Sequence, residues 1–312
     1  MATSDPLSAF IDDQGVVILD GGLATELEAR GHDLTGALWS ARLLLDAPEA
    51  ISAVHAAYLE AGADCVVSSS YQATLDGFRR RGVGAEEARE RLRTSVDLAR
   101  EARDAFWRTA PPGRRRPLVA ASIGPYGAVL ADGSEYTGRY DLDEAGLLDF
   151  HAERFALLAD AGADLLACET IPSRVEARVL LRLLDETPGA RAWFTFTARD
   201  AGHISDGTPV GEVARELDHE RVVGIGANCV PPSFVPGLLD ALRGATDRPF
   251  VVYPNSGQTW NAAARRWEGA PKGPDPAEAC VGWRDAGATV IGGCCRVGPA
   301  AIQRMRQRLL GQ

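Results

Sequence analysis

Lysine is almost missing from this sequence. Lys272 is the one lysine among 33 basic residues, and it lies in a stretch rich in glycine and proline. Enzymes that form a Schiff base with a carbonyl substrate need a lysine nucleophile. No lysine follows any of the apolar runs described below, so aldolase-type chemistry is not expected. A Gly-x-Gly-x-x-Gly motif after an apolar run is also absent, which argues against a dinucleotide-binding domain.

Signals for export and for membrane insertion are missing as well. The segment from Met1 to Pro6 has neither basic residues nor an apolar core, so no signal peptide is expected. No apolar run reaches the length that spans a bilayer. Six cysteines, two of them adjacent, do not resemble the disulfide framework of a secreted protein. We therefore predict a reducing, cytoplasmic location.

Basic charge is in deficit. The 33 basic and 43 acidic residues give a net charge of −10, which argues against nucleic acid as a partner. No membrane partner is expected either, and the sequence leaves the oligomeric state open. The five histidines show no metal-ligand spacing, and we expect most of them at the surface: His32, His55, His151, His203 and His219.

Short apolar runs alternate with amphipathic stretches along the whole chain. The apolar runs predict eight strands, near 16–20, 65–69, 118–122, 164–168, 192–197, 222–226, 250–253 and 288–292. The amphipathic stretches predict helices near 47–61, 85–107, 144–161, 174–186, 209–217, 232–242, 275–286 and 298–309. The strands are continuously apolar, as expected when both faces are buried. Eight such units predict an α/β fold with one domain, 1–312, folded as a (β/α)8 TIM barrel. A doubly wound open sheet is the alternative.

One phrase occurs three times, each time between a helix pattern and an apolar run: Ala61-Gly-Ala-Asp64, Ala161-Gly-Ala-Asp164 and Ala286-Gly-Ala-Thr289. A glycine just past a helix end adopts the left-handed conformation that turns the chain toward the next strand. The repeated junction supports repeated βα units.

Polar and small residues follow the apolar runs, at the end of the strands where barrel enzymes carry their active sites. Two of these loops are long: 127–143 after the third strand and about 254–275 after the seventh. Both contain glycine, aromatic residues or proline, and we expect them to cover a site as lids.

Three cysteines stand directly after two of the runs: Cys229 after the sixth, and Cys294 and Cys295 after the eighth. In a barrel these two strands have one strand between them, so the three thiols can lie together. Three cysteines and one open position form a site at which zinc presents a bound thiolate. The alternatives are three ordinary buried cysteines and a redox pair, although a vicinal disulfide closes a strained ring. The remaining cysteines fit a buried structural role: Cys65, Cys168 and Cys280.

Around these cysteines the sequence resembles the zinc-dependent homocysteine S-methyltransferase family. The pattern Asn228-Cys229 followed by Gly292-Gly-Cys-Cys295 carries the resemblance. Other phrases extend it over nearly the whole chain: 19–31, 70–73, 122–127, 167–172 and 253–256. With Arg296 directly after the cysteine pair, and with these phrases, the sequence is most similar to the branch of the family that uses S-methylmethionine or S-adenosylmethionine. Gly22 stands where some members have alanine, and Val297 where many have threonine; both differences bear on donor preference.

The resemblance implies that Cys229, Cys294 and Cys295 hold Zn²⁺ and that the sulfur of homocysteine is the fourth ligand. It implies no catalytic residue beyond these ligands. The implied substrate-binding residues are Glu169 and Asp20 on the ammonium group, the backbone of Gly21 and Gly22 on the carboxylate, and Asn228. Weaker candidates, which can equally serve to order loops, are Tyr71, Tyr126 and Asn255.

The implied reaction transfers a methyl group from a small sulfonium donor, S-methylmethionine or S-adenosylmethionine, to the thiolate of L-homocysteine and gives methionine. Three thiolate ligands leave the site negatively charged, which favours a cationic donor. Alternatives that keep the same site are betaine as the donor and selenocysteine as the acceptor. A barrel that binds zinc or thiols without catalysis is the alternative from a different class.

Overall fold

The computed structural model describes residues 5–34, 39–261 and 266–311. Residues 1–4, 35–38, 262–265 and 312 lie outside the described residues, so the bounds of the predicted domain 1–312 stay a prediction and the predicted loop 254–275 is described in part. Within the described ranges, no helix is both long and apolar enough to cross a membrane.

Eight parallel strands form one sheet. Their bounds are β1 Val17–Ile18, β2 Cys65–Val67, β3 Leu118–Ile123, β4 Leu165–Ile171, β5 Ala192–Phe196, β6 Val222–Asn228, β7 Phe250–Tyr253 and β10 Ala288–Ile291. The order is β1-β10-β7-β6-β5-β4-β3-β2. A parallel bridge between Leu19 and Cys65 joins the two ends of this order. The predicted (β/α)8 barrel is therefore confirmed, and the open sheet is not formed.

Helices surround the strands. In the described residues they are α1 Ser8–Gln14, α2 Leu23–Ala29, α3 Leu43–Asp46, α4 Pro48–Glu60, α5 Leu75–Arg79, α6 Ala85–Trp107, α7 Tyr126–Leu130, α8 Glu144–Ala159, α9 Arg174–Asp185, α10 Val210–Glu216, α11 Val235–Leu242, α12 Pro276–Asp285 and α13 Pro299–Leu310. Short 3₁₀ helices lie at Trp39–Arg42, Ser134–Tyr136 and Pro232–Phe234. All eight predicted helices are present. The pattern missed α1, α2, α3, α5 and α7, which have four to seven residues and show little of a helical period, although α10 of seven residues was predicted.

The two long loops have secondary structure of their own. The loop after β3 contains α7 and the 3₁₀ helix Ser134–Tyr136. The loop after β7 contains an antiparallel pair, β8 Thr259–Asn261 and β9 Arg266–Glu268. Trp260 faces Trp267 across this pair, with ring centroids 5.6 Å apart.

Two apolar layers hold the barrel. The outer layer packs the strands against the helices. A smaller buried cluster fills the interior, and Leu7 and Phe10 from the α1 segment belong to it together with Val17, Leu19, Cys65, Ala120, Leu165, Ala167, Trp193, Val223, Val251, Tyr253 and Val290. Because α1 precedes β1 and packs on this cluster, it closes the N-terminal end of the barrel. The C-terminal end is left for a site.

In two of its three copies, the repeated phrase links neighbouring strands through an aspartate. The Asp64 carboxylate accepts a hydrogen bond from the backbone N–H of Ile18 at 3.1 Å, and that of Asp164 accepts one from Val119 at 2.8 Å. Thr289 occupies the same place in the third copy, and its buried hydroxyl has no hydrogen-bond partner among the described residues. The predicted left-handed glycines are confirmed, with φ of 105°, 81° and 102° at Gly62, Gly162 and Gly287.

Candidate active site

Cys229, Cys294 and Cys295 meet at the C-terminal mouth of the barrel. The Sγ atom of Cys295 lies 3.5 Å from that of Cys229 and 3.9 Å from that of Cys294. The three sulfurs lie within 4.8 Å of one another, and no other group of three metal-binding side chains occurs in the described part of the chain. All six cysteines are free thiols in this structure, so no disulfide joins Cys294 and Cys295, the alternative left open by the sequence.

The donor set fits zinc. Thiolates about 2.3 Å from a tetrahedral zinc ion stand about 3.8 Å from one another. The sulfur separations of 3.5 Å and 3.9 Å are close to that value. Thiolate ligands favour zinc over the hard cations magnesium and calcium. Hydrogen bonds from the thiols of Cys294, then Cys295, lower the pKa of the Cys229 thiol well below its usual value, and the same contact with Cys229 raises the pKa values of Cys294 and Cys295.

The backbone around Cys229 is unusual and is held by the loop after β7. Cys229 has φ of 52°, in the left-handed region. Its N–H donates to the Tyr253 carbonyl at 3.1 Å, and its carbonyl accepts from the Asn255 amide at 3.0 Å. The N–H of Cys294 donates to the Pro254 carbonyl at 2.8 Å. The first residues of the loop after β7 therefore position thiols from two strands, and Asn255 acts here as a loop-ordering residue.

Gly21 and Gly22 lie against the turn that carries the cysteine pair. The N–H of Gly22 donates to the Val297 carbonyl at 3.0 Å. A Cβ atom on Gly21 would stand 2.2 Å from the same carbonyl, and one on Gly22 would stand 2.8 Å from the Cys294 carbonyl. The Tyr58 hydroxyl donates to the carbonyls of both Gly22 and Val297, at 3.0 Å and 3.1 Å. Glycine at both positions lets this turn approach β1 closely.

Two buried carboxylates line the mouth beside the thiols. Glu169, in β4, accepts hydrogen bonds from the hydroxyls of Ser122 and Tyr253, the latter at 3.0 Å. Asp20 accepts one from the Val67 N–H at 2.9 Å. Burial raises the pKa of Glu169 to about 7 and that of Asp20 well above its usual value, and the Glu169 charge adds to the shift at Asp20. An incoming cation would favour the ionised form of both groups.

Asn228 contacts the residue that follows Glu169. Its amide oxygen accepts from the Thr170 N–H at 2.7 Å, and its amide nitrogen donates to the Thr170 hydroxyl at 2.7 Å. Thr170 has φ of 62°, which is rare for a β-branched residue. Asn228 thus stabilises a strained backbone position next to Glu169.

Sequence reasoning missed two residues of the loop after β3. The Tyr136 hydroxyl lies 3.3 Å from the Cys229 sulfur. Glu135, its neighbour, has a buried Oε2 atom without a hydrogen-bond partner in the described residues. Burial raises the pKa of Glu135 to about 7, and the negative charge of Cys229 adds to the effect. The length of the loop was the one signal in the sequence that could have pointed to these residues.

A buried arginine fixes two loops of the mouth. Arg154, on α8, donates to the carbonyls of Gly124, Ser70 and Tyr71 at 2.8–2.9 Å. Tyr71 is thereby held through its backbone, in contact with Gly124: a Cβ atom there would stand 2.5 Å from the Tyr71 carbonyl.

A second buried network fixes the start of the loop after β3. The Glu176 carboxylate accepts from the Tyr126 N–H at 2.6 Å, from the Tyr140 hydroxyl and, at 2.9 Å, from the ring of His151. The predicted role of Tyr126 at the substrate stays a prediction, since its contact here is through the backbone.

Most of the histidines were expected at the surface, and His32, His203 and His219 are partly exposed, whereas His55 and His151 are exceptions. Both have no exposed surface, because they lie on the core-facing sides of α4 and α8. Burial lowers the pKa of both, to about 4 for His55.

Comparison with known proteins agrees with this geometry. The sequence profile described as Homocysteine S-methyltransferase matches residues 17–309. Homocysteine S-methyltransferase of Escherichia coli (strain K12) is 46% identical over 310 residues, which cover 99% of this chain and 100% of the relative. The chain belongs to the homocysteine S-methyltransferase family. The family resemblance expected from the sequence motifs is confirmed.

One solved structure and one further relative give information on the metal and on the methyl acceptor. The crystal structure of the homocysteine methyltransferase MmuM from Escherichia coli, metallated form, has a TM-score of 0.87 at 46% identity and covers 97% of this chain and 99% of that one. Selenocysteine Se-methyltransferase of Brassica oleracea var. italica is 43% identical and covers 96% of this chain and 90% of its own. Members of this family thus include a protein with a metal and one named for a selenium acceptor.

Proposed function

We propose that this enzyme transfers a methyl group from a sulfonium donor, S-methylmethionine in the first place, to L-homocysteine. The observation that carries the proposal is the convergence of Cys229, Cys294 and Cys295, with sulfur separations of 3.5 Å and 3.9 Å that suit zinc. Family membership and the metallated relative support it. These three cysteines would hold the ion, and zinc, when bound, keeps the thiol of homocysteine deprotonated at neutral pH.

Protein residues orient the amino acid part of homocysteine. We assign Glu169 and Asp20 to its ammonium group, since two buried carboxylates beside each other favour a cation between them. Gly21 and Gly22 form the wall next to the cysteine turn, where a side chain would collide with the backbone. Asn228 contributes by holding Thr170, and through it Glu169.

The charge of the mouth selects the donor. Three cysteinates and two carboxylates concentrate negative charge, which attracts a sulfonium cation. The homocysteine sulfur forms a bond to the methyl carbon, and the electron pair of the donor C–S bond returns to the donor sulfur. With S-methylmethionine both products are methionine, and the positive charge of the donor is cancelled by the thiolate. The enzyme contributes alignment and a prepared nucleophile.

A panel of donors tests the proposal. Zinc-loaded protein with homocysteine receives S-methylmethionine, S-adenosylmethionine or betaine, and methionine is quantified. We expect the fastest turnover with S-methylmethionine and the slowest with betaine. Binding of homocysteine without methionine from any donor would favour the non-catalytic alternative.

Selenocysteine is the second acceptor worth measuring, because a relative 43% identical is named for it. The same assay with selenocysteine in place of homocysteine compares the two acceptors directly. We also propose a cytoplasmic location, since the three thiols must stay reduced to bind a metal.

A further inference from the structure

Glu135 lies beside the thiols but takes no part in the arrangement proposed so far. It sits on the 3₁₀ helix Ser134–Tyr136, next to the tyrosine whose hydroxyl lies 3.3 Å from the Cys229 sulfur. The Glu135 carboxylate is close enough to Cys229 and Cys295 for their charges to affect one another. This loop therefore brings a further negative group to the same mouth.

The position of Glu135 is fixed by its backbone. The Thr197 hydroxyl donates to the Glu135 carbonyl at 2.9 Å. A Cβ atom on Gly127 would stand 2.5 Å from the Glu135 nitrogen, so α7 packs directly under it. Asp132 accepts a hydrogen bond from the Ser134 N–H at 2.9 Å, at the start of the same 3₁₀ helix. With three such contacts, the side chain projects from a rigid segment rather than from a free loop.

Within the part of the chain that the structure describes, the Glu135 carboxylate has no cationic partner. Among the described residues, no basic side chain contributes to the electrostatics of Glu135, and its Oε2 atom is buried without a hydrogen-bond partner there. A buried carboxylate close to thiolates is unfavourable unless a positive group approaches it. Placed here, such a group would arrive with a substrate, and among the proposed substrates the sulfonium sulfur carries its charge next to the reacting methyl group.

We propose that Glu135 recognises the positive charge of the methyl donor and thereby determines the preference for sulfonium compounds. This inference rests on the proposed function, in which a cation approaches a thiolate at the cysteine cluster. The carboxylate attracts the donor before transfer and is not needed by the neutral thioether that remains, since the electron pair of the broken C–S bond has cancelled the charge. Glu135 would in this way favour donor over product.

The test compares a charged ligand with its neutral isostere. In homoleucine, carbon replaces the sulfonium sulfur of S-methylmethionine, so the two compounds have nearly the same shape. Dissociation constants of both are measured by calorimetry on zinc-loaded wild type and on Glu135→Gln. We expect Glu135→Gln to raise the dissociation constant of S-methylmethionine by about tenfold or more, since a charge pair in a partly buried site is lost. The dissociation constant of homoleucine should change by less than about twofold.

Two further variants serve as controls. Glu144→Gln removes one negative charge from an exposed position at the start of α8 and should leave both constants unchanged. Glu135→Asp keeps the charge and should recover most of the affinity for S-methylmethionine. Thermal melting of each variant verifies the fold, and homocysteine affinity should stay at the wild-type value.

The outcomes separate this inference from the proposed function. An unchanged affinity of Glu135→Gln for S-methylmethionine would overturn the inference, as would an equal loss for homoleucine, which would indicate a role in shape. Failure of the wild type to bind S-methylmethionine would overturn it as well. Wild-type protein that binds the donor with the expected charge dependence but forms no methionine would instead contradict the proposed function alone.

Discussion

The two ends of the barrel differ in how their buried charged groups are stabilised and in where their strained backbone lies. At the N-terminal end, Leu7 and Phe10 close the interior, and the Asp64 and Asp164 carboxylates are paired with backbone N–H groups and arginines. At the C-terminal end, the buried carboxylates of Glu169 and Asp20 form no ion pair within the ranges that the structure describes, and their pKa values are raised. Among the described residues, the four non-glycine residues with positive φ lie in the last residues of a barrel strand or in the loop that follows one: Ala131, Thr170, Cys229 and Arg296.

This difference separates stability from function. A strained backbone conformation is kept only where the surrounding structure stabilises it, and such positions are frequent at functional sites. Carboxylates with raised pKa values are also frequent there. The N-terminal end has the opposite character, since its charges are paired and its backbone strain falls on glycines such as Gly62 and Gly162. Substitutions at the two ends should therefore change different properties, and the following experiments test that separation.

The largest effect is expected at the cysteine cluster. Cys229→Ser should lose bound zinc and reduce turnover by more than about 100-fold. This loss should exceed the one seen when a residue that only supports a metal ligand is removed, because here the ligand itself is lost. Metal analysis and the methionine assay measure both, while circular dichroism should show an intact fold. Cys280→Ser, at a buried thiol on α12, should leave zinc and turnover unchanged. Equal damage from the two substitutions would indicate that both thiols are structural.

A smaller functional effect is expected at Glu169. Glu169→Gln removes the charge that we assign to the homocysteine ammonium group, while the amide can still accept from Tyr253. The dissociation constant for homocysteine should rise by about tenfold to 100-fold. Zinc content should stay at the wild-type level. Unchanged homocysteine affinity would remove Glu169 from the substrate site.

The N-terminal end should respond in stability instead. Asp164→Ala removes the acceptor of the Val119 N–H and a partner of the buried Arg103. Urea denaturation should show a loss of about 1–3 kcal/mol in the free energy of unfolding. Turnover of the folded variant should match the wild type, and the exposed Asp160→Ala on the same junction serves as the control. A variant of unchanged stability but low turnover would break the proposed division between the two ends.

The helical layer offers the smallest effect and belongs to neither end. His55 is buried on α4 without a hydrogen-bond partner among the described residues, and burial lowers its pKa to about 4. Its neutral form contributes stability above pH 6.5 that is lost as the pH falls toward 4, because the unfolded chain binds a proton first. His55→Leu removes this loss.

The measurement is the free energy of unfolding of both proteins at pH 7 and pH 5. The advantage of His55→Leu over wild type should grow by about 1–2 kcal/mol between these values. An advantage that does not change with pH would mean that His55 titrates normally. Turnover at pH 7 should be the same for both proteins.

The sequence predicted the barrel and the cysteine cluster because both can be recognised from residue types and their order along the chain, without knowledge of tertiary contacts. Strands buried on both faces are continuous apolar runs, as at 118–122 and 250–253. The two strand ends that carry Cys229 and the 294–295 pair converge in a barrel whatever the loops do. Residue type and topology together were sufficient for the candidate metal site.

Features that depend on packing were missed. The roles of Glu135 and Tyr136 depend on how the loop after β3 folds back, through contacts such as Thr197 with the Glu135 carbonyl. The hydrogen bonds of Asn228 to Thr170 join residues 58 positions apart, which no local pattern indicates. Residue type predicted most histidines at the surface and gave no sign that His55 and His151 are the two whose helix faces are buried.

X-ray absorption at the zinc edge tests the central claim most directly. The account predicts about three sulfur neighbours at about 2.3 Å without homocysteine and about four when homocysteine is added. Cys229→Ser should show no such site. A sulfur count that does not rise with homocysteine, or a zinc ion bound chiefly by nitrogen and oxygen, would contradict the account.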